Sequence, residues 1–338
     1  MRFPESVGRV GSTDFFVISG NVESRLTMKP VSRRNFLYSS ALLAGTTVVQ
    51  PSFAGFNTIP KALRLGGPIF LKSDDPEALA REHRRLQYSA AYVPAVELKD
   101  TDKIKAIQTA FAAQNVLIAE VGAWVNMLDL DTEKRRKNLN YVTERLALAE
   151  AVGALVCVNI AGSYNPTHWD GPDARNLSKD YFDATVENCR KVIDTVKPKR
   201  AKFALEMMGW SPPDGVDSYL KFIKAIDRPA FGAHIDIANI INTPERYYNN
   251  TALMNDTFRK LGRWIVSAHA KDIYGKDGHF AETMPGRGSL DYVTYIRNVT
   301  SLPQEIPFML EHLRTAEEYD QARQYVISQA SKAQISLA

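Results

Sequence analysis

Cysteine is scarce in this sequence, with two residues in a chain of 338. Two cysteines cannot form the disulfide framework that holds small secreted domains together. Cys157 lies in an apolar run and Cys189 on the apolar face of a predicted helix, so we expect both to be buried thiols. The same scarcity argues against a structural zinc site built from thiolates.

An excess of basic residues is missing from most of the chain, although the formal net charge is +4. Of the 42 basic and 38 acidic residues, residues 1–54 contain six and three, which leaves a nearly neutral remainder of 36 and 35. A protein that binds a polyanion normally needs clustered Lys and Arg to displace counterions. We therefore expect no nucleic-acid partner.

An apolar run long enough to span a membrane is also lacking. The run at 38–49 has about a dozen residues, too few to cross a bilayer as a helix. It follows the paired arginines Arg33 and Arg34, with Phe36 two places later. This arrangement resembles a bacterial twin-arginine export signal, so we expect no stable membrane span.

The end of this leader offers a cleavage site. Residues 52–54 read Ser-Phe-Ala, a small-x-Ala pattern, so we expect residues 1–54 to be a removable signal peptide. The resemblance implies export by the twin-arginine machinery and a periplasmic or exported protein. Met28 lies at the usual distance from the arginines and is a second candidate start of translation. The alternative is an amphipathic N-terminal helix that packs on the domain that follows.

Residues 55–338 show an alternation of short apolar runs with segments of helical period, which is typical of repeated βα units. We count eight such runs and no linker or low-complexity tract between them. Eight units predict one α/β domain, a (β/α)8 TIM barrel. The predicted strands lie at 63–67, 90–94, 116–121, 155–160, 202–207, 230–236, 265–269 and 307–311.

Helix boundaries between these runs are marked by capping residues. Asp75 precedes a proline, Ser178 precedes an amphipathic segment, and Thr315 opens a capping-box sequence. The loops at 162–173 and 271–288, after the fourth and seventh strands, are the longest. In a TIM barrel they lie over the catalytic face, where functional residues concentrate.

Four successive predicted strands end in an ionisable residue. An unpaired charge at the end of a buried strand costs several kcal/mol, so a compensating cation or donor is expected. Taken singly, each carboxylate is equally well explained as a helix cap or ion-pair partner, and the imidazole as a core residue. Together they predict one metal site at the barrel mouth. The four residues are Glu206, Asp236, His269 and Glu311.

Three carboxylates and one imidazole are ligands that suit a single divalent cation with open positions for water or substrate. We expect Mn²⁺ first, with Mg²⁺, Co²⁺ and Zn²⁺ as alternatives. Such a cation can promote removal of a proton next to a carbonyl group, because it stabilises the negative charge that forms on oxygen. Two carboxylates then suffice to take and return the proton.

The sequence resembles the xylose isomerase-like TIM-barrel family of sugar isomerases and epimerases over about residues 60–330. The resemblance lies in the Leu-Glu of the fifth strand, the Ile-Asp of the sixth, Ala-His-Ala-Lys-Asp, Pro-Gly-Arg-Gly-Ser-Leu-Asp and the final Leu-Glu-His. It implies that Glu206, Asp236, His269 and Glu311 bind the metal. It also implies that Glu206 and Glu311 form the acid/base pair and that Arg287 lies near substrate oxygens.

One position departs from the family pattern. Ketose epimerases of this family commonly carry a substrate-contacting His three residues after the Asp of the sixth strand. This chain has Asn239 there, which the resemblance makes a candidate to contact the substrate. The same family includes enzymes that act on 3-keto-glycosides. The main prediction is therefore a sugar isomerase or epimerase, with a 3-keto-glycoside lyase that releases an aglycone by β-elimination as the alternative.

Further residues are predicted to contact the substrate or support the ligands. Lys271 and Asp272 follow His269 and are candidates to hold its imidazole and to polarise the substrate, with a surface ion pair as the alternative. His234 faces the same side as Asp236 by strand alternation, whereas His312 is expected to pack under a loop. Candidates for stacking on a sugar ring, or for packing of a lid, are Trp124, His168 and Trp169.

Other functions fit the residues less well. An abasic-site endonuclease of this fold needs a trinuclear zinc site, and six histidines with a neutral body argue against one. A non-catalytic sugar-binding barrel remains an alternative, because a fold does not by itself establish activity. The expected partner is a small carbohydrate, and a homo-oligomer stays open.

Overall fold

The computed structural model describes residues 61–338, so the predicted signal peptide lies outside the described part. Eight parallel strands close into a barrel in which each barrel strand pairs with the next one along the chain and the last pairs with the first. All eight predicted strands are confirmed, with boundaries shifted by a residue or two. The barrel strands are β1 (Arg64–Gly66), β2 (Ala90–Tyr92), β3 (Leu117–Gly122), β4 (Val156–Asn159), β5 (Lys202–Glu206), β6 (Phe231–Ile235), β7 (Ile265–Ala270) and β10 (Pro307–Leu310).

Helices connect successive strands on the outside of the barrel, as the alternation in the sequence predicts. Two helices follow β6, and one follows each of the other barrel strands. The helices are α1 (Pro76–Arg85), α2 (Thr101–Ala113), α3 (Thr132–Val152), α4 (Lys179–Val196), α5 (Val216–Ile226), α6 (Pro244–Tyr248), α7 (Asn250–Leu261), α8 (Tyr292–Ser301) and α9 (Ala316–Ala333).

The predicted caps set several of these boundaries. Asp75 accepts hydrogen bonds from the backbone amides of the first turn of α1, and Ser178 and Thr315 do the same for α4 and α9. Helix α3 ends at Gly153, whose φ of 79° is in the left-handed region. Side-chain caps satisfy amides that have no partner within the helix, so these residues favour a helix start where they occur.

The main apolar core lies between the strands and the helices that surround them. Helix α4 places Tyr181, Cys189 and Ile193 against the sheet, and β4 contributes Cys157. Both cysteines are fully buried free thiols, as predicted. Burial raises the pKa of Cys157 to about 12, so this thiol stays protonated near neutral pH.

The long loop after β7 is partly regular structure, which the sequence did not reveal. Residues within 271–288 form an antiparallel hairpin of β8 (Asp272–Lys276) and β9 (His279–Thr283). Asp277 and Gly278 form its tip, both with positive φ. No helix within residues 61–338 has the length and apolar content that a bilayer span requires.

Candidate metal centre

The four predicted ligands meet at one end of the barrel. Glu206 is the last residue of β5, His269 lies near the end of β7, and Asp236 and Glu311 directly follow β6 and β10. Because parallel strands present their carboxyl ends at one rim, side chains from four neighbouring strands converge there. One ligand atom from each residue lies within 4.8 Å of all the others.

The imidazole of His269 is at the centre of the three carboxylates. Its Nδ1 atom lies 2.9 Å from Glu311 Oε1, 3.1 Å from Glu206 Oε1 and 3.6 Å from Asp236 Oδ2. All four side chains are buried, the most exposed being Glu311 at 8%. Concentrating three acids in a buried site is unfavourable unless positive charge is present.

Lys271 supplies part of that charge. Its ammonium lies 2.9 Å from Asp236 Oδ2 and 2.7 Å from Glu311 Oε1, and the residue is 2% exposed. Although both oxygens contact this ammonium, neither accepts a hydrogen bond of normal geometry from the residues at 61–338. Two buried carboxylate oxygens without a hydrogen-bond donor in the described part of the chain, next to Nδ1 of His269, are the kind of ligand atoms that bind a divalent cation.

The acids raise the pKa of every basic group among them. Burial works against protonation of His269, yet Glu311, Glu120 and Glu206 hold its pKa well above the usual value. Burial likewise opposes the charge on Lys271, and the carboxylates again raise its pKa. This site attracts positive charge strongly, which agrees with a role in cation binding.

The carboxyl groups of Glu206 and Glu311 differ in their environments. Burial raises the pKa of Glu206, because the nearby His269 offsets only part of the cost of desolvation. Burial also disfavours the Glu311 carboxylate, but His269 and Lys271 outweigh it and lower its pKa. Two carboxyl groups whose pKa values move apart are suited to different roles in proton transfer.

Asn239 lies between the acids and the lysine. Its side-chain amide donates to Glu206 Oε1 at 3.1 Å and accepts from Lys271 Nζ at 3.1 Å. Its backbone amide donates to Asp236 Oδ1. Asn239 thus orients the candidate ligands, a role that sequence spacing did not indicate.

A layer of polar residues lies directly beneath the ligands. His234 is fully buried, and its Nε2 lies 3.1 Å from Glu120 Oε1. The side chain of His234 faces the barrel interior, as strand alternation predicted, and there it contacts Glu120. Glu120 was missed, although the sequence carried the signal that identified Glu206: a carboxylate within an otherwise apolar strand.

The loop that carries Arg287 is anchored by Asp272. The carboxylate of Asp272 accepts hydrogen bonds from the backbone amides of Gly286, Gly288 and Leu290. The prediction that Asp272 holds His269 is therefore wrong, because its acceptors are used by this loop. Arg287 is exposed and donates to Gln321 on α9.

His312 does not pack under a loop, contrary to prediction. Its φ of 56° lies in the left-handed region and turns the side chain outward, where it is 58% exposed. Its Nδ1 lies 3.1 Å from Glu282 on β9, and this contact raises the pKa of His312. Glu282 also lies 3.3 Å from Lys271, so the hairpin brings an additional acid to the mouth.

Exposed aromatic side chains occur on loops that follow the barrel strands, and one of them lies near the candidate ligands. Trp124 is 39% exposed, and its ring centroid lies 6.4 Å from that of His269. His168 and Trp169 are exposed on the loop after β4, and Trp210 is exposed on the loop after β5. Indole faces near a polar cleft are suited to contact with sugar rings.

Comparison with known proteins agrees with this architecture. The model of the xylose isomerase-like TIM barrel family matches residues 77–329. Among curated proteins, no sequence matches this chain. Solved structures with the same fold cover most of it.

A xylose isomerase-like TIM barrel protein from Mycobacterium smegmatis in complex with magnesium is 18% identical, with 81% of this chain and 97% of that chain covered at a TM-score of 0.57. A D-psicose 3-epimerase from Clostridium cellulolyticum H10 is 12% identical, with coverage of 81% and 100% and a TM-score of 0.59. A 3-keto-D-glucoside 4-epimerase from E. coli is 12% identical, with coverage of 79% and 99% and a TM-score of 0.56. At such low identity these likenesses establish the fold alone. The family match spans most of the chain, and the protein belongs to the xylose isomerase-like TIM barrel family.

Proposed function

We propose that the protein is a divalent-cation-dependent sugar isomerase or epimerase that removes a proton next to a carbonyl group. The observation that carries this proposal is the convergence of Glu206, Asp236, His269 and Glu311 in one buried cluster. The named activities of the D-psicose and 3-keto-D-glucoside epimerases with the same fold support it. Mn²⁺ is the cation we propose, because oxygen-rich sites with one imidazole suit it.

Each ligand is proposed to contribute to binding or proton transfer. A cation held by the four residues would stabilise the negative charge that develops on sugar oxygens as the proton leaves. Glu206 is suited to take up the proton, because burial raises its pKa towards the working range of a base. Glu311, held ionised by His269 and Lys271, is suited to receive or return a proton on the other side.

The surrounding residues are proposed to position the substrate and exclude water. Asn239 fixes the orientation of Glu206, and Lys271 contributes positive charge beside Asp236 and Glu311. Trp124 lies close enough to His269 to contact a bound sugar ring. His168, Trp169 and Arg287 are exposed on the loops after β4 and β7, and we propose that they contact parts of the substrate away from the reacting carbon.

A second candidate, a 3-keto-glycoside lyase, uses the same first step. After the proton is removed, the electron pair expels the oxygen of the aglycone from the neighbouring carbon. The exposed Trp124, Trp169 and Trp210 favour a substrate larger than a free sugar. Asn239 favours it too, because its amide is engaged with Glu206 and Lys271.

The proposed function is tested by measuring turnover in D₂O. Bound metal is first removed from the protein with a chelator, and Mn²⁺ is then added. Free ketoses and 3-keto-glycosides are supplied separately, and both proposed reactions begin with loss of the same carbon-bound proton. Epimers that carry solvent deuterium support the epimerase, and free aglycone from a 3-keto-glycoside supports the lyase. Glu206→Gln should abolish exchange, whereas Glu77→Gln on the exposed face of α1 should not. Absence of both deuterium incorporation and aglycone release with every sugar would contradict both.

We also propose that residues 1–54 direct export through the twin-arginine machinery to the periplasm. Replacing Arg33 and Arg34 by Lys together should leave the uncleaved chain inside the cell. N-terminal sequencing of the exported protein should begin near Gly55. A chain that is exported unchanged in the double variant would overturn this proposal.

A further inference from the structure

Beneath the metal centre, one buried carboxylate collects hydrogen bonds from three side chains. Glu120 on β3 is fully buried, and its Oε1 lies 3.1 Å from His234 Nε2 and also contacts the hydroxyl of Ser267. Its other oxygen, Oε2, lies 3.3 Å from His269 Nε2. An ionised carboxylate only accepts hydrogen bonds, so all three neighbours must donate.

The protonation of His234 supports this arrangement independently. The Nδ1 atom of His234 is buried and has no hydrogen-bond partner among residues 61–338. A proton on Nδ1 would be a buried donor without an acceptor, whereas a proton on Nε2 is shared with Glu120. His234 is therefore in the Nε2–H form, and Glu120 is its acceptor.

The two nitrogens of His269 face carboxylates on opposite sides of the ring. On one side, Nδ1 is surrounded by Glu206, Asp236 and Glu311, which favour a proton there. On the other side, Glu120 favours a proton on Nε2. A nitrogen that carries a proton cannot bind a cation, so the imidazole binds the cation through Nδ1 only if the proton that it keeps is the one on Nε2.

We propose that Glu120 is a positioning residue that keeps the proton of His269 on Nε2 and leaves Nδ1 free for the divalent cation. The inference rests on the proposed metal site and adds to it a residue from the opposite side of the barrel. In the strand order, β3 and β7 are separated by three strands in either direction. Glu120 thus reaches across the barrel axis to hold the imidazole from below.

The same geometry suggests why Ser267 and His234 are present. Both bind Oε1 of Glu120, which leaves Oε2 directed at His269. Holding one oxygen with two donors fixes the orientation of the carboxylate. Ser267→Ala should therefore weaken the support without removing the contact with His269.

The test measures Mn²⁺ affinity by calorimetry in the stripped full-length protein and in two variants. Glu120→Gln keeps the size of the side chain, but its neutral amide is a weaker acceptor, so Mn²⁺ affinity should fall by about 10- to 100-fold. Ser267→Ala is the matched control, because it also deletes one buried hydrogen bond of Glu120. Its Mn²⁺ affinity should change far less than that of Glu120→Gln. Equal losses in both variants, or no loss in Glu120→Gln, would overturn the proposal.

A second measurement does not depend on any variant of Glu120. In the Zn²⁺-loaded, ¹⁵N-histidine-labelled protein, the nitrogen shifts of His269 should report metal on Nδ1 and a proton on Nε2. His269→Gln identifies its signals. Metal on Nε2 would contradict the proposal.

Metal content separates this proposal from the proposed function. One ion per chain is expected. Two ions, with one lost in Glu120→Gln, would make Glu120 a ligand rather than a positioning residue. Failure of the unaltered protein to bind any divalent cation would overturn the proposed function itself, whereas normal binding with an unaffected Glu120→Gln overturns only the role of Glu120.

Discussion

Two adjacent layers of the barrel interior differ sharply in chemistry, although the same four strands build both. The upper layer contains the four predicted ligands, Glu206, Asp236, His269 and Glu311. The layer beneath consists of the residues two positions earlier on each strand, which are Ala204, His234, Ser267 and Met309. All eight side chains are buried. Burial alone therefore does not determine which residues a layer can hold.

The difference shows how buried polarity is supported. Every residue of the upper layer is ionisable, and Lys271 compensates part of the negative charge. In the lower layer, polar residues occur on β6 and β7, and both of them bind Glu120. Ala204 and Met309 instead belong to small apolar clusters. Polar groups enter the interior only where a partner is within reach.

The largest expected effect comes from neutralising one acid of the upper layer. Glu311→Gln should lower turnover by roughly 1,000-fold, because the amide cannot exchange the proton and is a poorer ligand. Steady-state kinetics and metal content measure the two losses. Glu317→Gln, in the exposed first turn of α9, is the control. If Glu311→Gln turned over at close to the rate of the unaltered protein, the upper layer would not have the catalytic role that distinguishes it from the layer beneath.

Removal of the compensating charge tests the same contrast through stability. Lys271→Met should lower the free energy of unfolding of the metal-free protein by about 3 kcal/mol, because Asp236 and Glu311 lose a buried partner. Added Mn²⁺ should restore more stability to this variant than to the unaltered chain. Chemical denaturation with and without Mn²⁺ measures both. Lys276→Met on the exposed end of β8 is the control, and equal effects of the two substitutions would contradict the prediction.

An apolar substitution in the barrel interior should lower stability without lowering turnover or Mn²⁺ affinity. Val156 begins β4 and packs with Val158 and Ala204 in a small buried cluster. Val156→Ala should lower the free energy of unfolding by about 2 kcal/mol, through lost burial and a residual cavity. Turnover and Mn²⁺ affinity should be unchanged when measured well below the melting temperature. A loss of Mn²⁺ affinity would show that the apolar cluster around Ala204 is coupled to the candidate ligands, contrary to this prediction.

The smallest expected effect lies at the rim above the upper layer. Trp124→Ala should raise KM about fivefold with little change in kcat, because loss of a sugar-stacking contact costs about 1 kcal/mol. Tyr141→Ala, at an exposed position on the outside of α3, is matched in exposure and should leave KM unchanged. A fall in kcat with constant KM would place Trp124 among the residues that act in the transition state.

The strands and the convergence of the four candidate ligands were predictable from local patterns. Each strand is a short apolar run between capping residues, and Glu206 or Asp236 stands out at the end of one such run. Because all strands of a parallel barrel present their carboxyl ends at one rim, order along the chain sufficed to predict that these side chains meet. No long-range information was needed.

Other parts of the site could not be predicted in this way. The hairpin of β8 and β9 has an exposed, charged pattern that resembles a loop, yet it carries Glu282 to His312. Strand alternation predicted the wrong orientation for the side chain of His312. The rule fails there because the backbone of His312 lies in the left-handed region and no longer continues the strand. Asp272 is adjacent to Lys271 in sequence, but Lys271 contacts the candidate ligands whereas Asp272 binds the loop that carries Arg287.

The sequence by itself determined the number of βα units and the four ionisable strand ends, because both depend on periodicity and on residues close together in the chain. Only the tertiary structure decided which side chains support those ends. Glu120 and His269 are 149 positions apart, and they meet because closure of the barrel places β3 opposite β7. A contact across the barrel axis has no characteristic residue spacing in the sequence. The two side chains come together only when the last strand pairs with the first and the barrel closes.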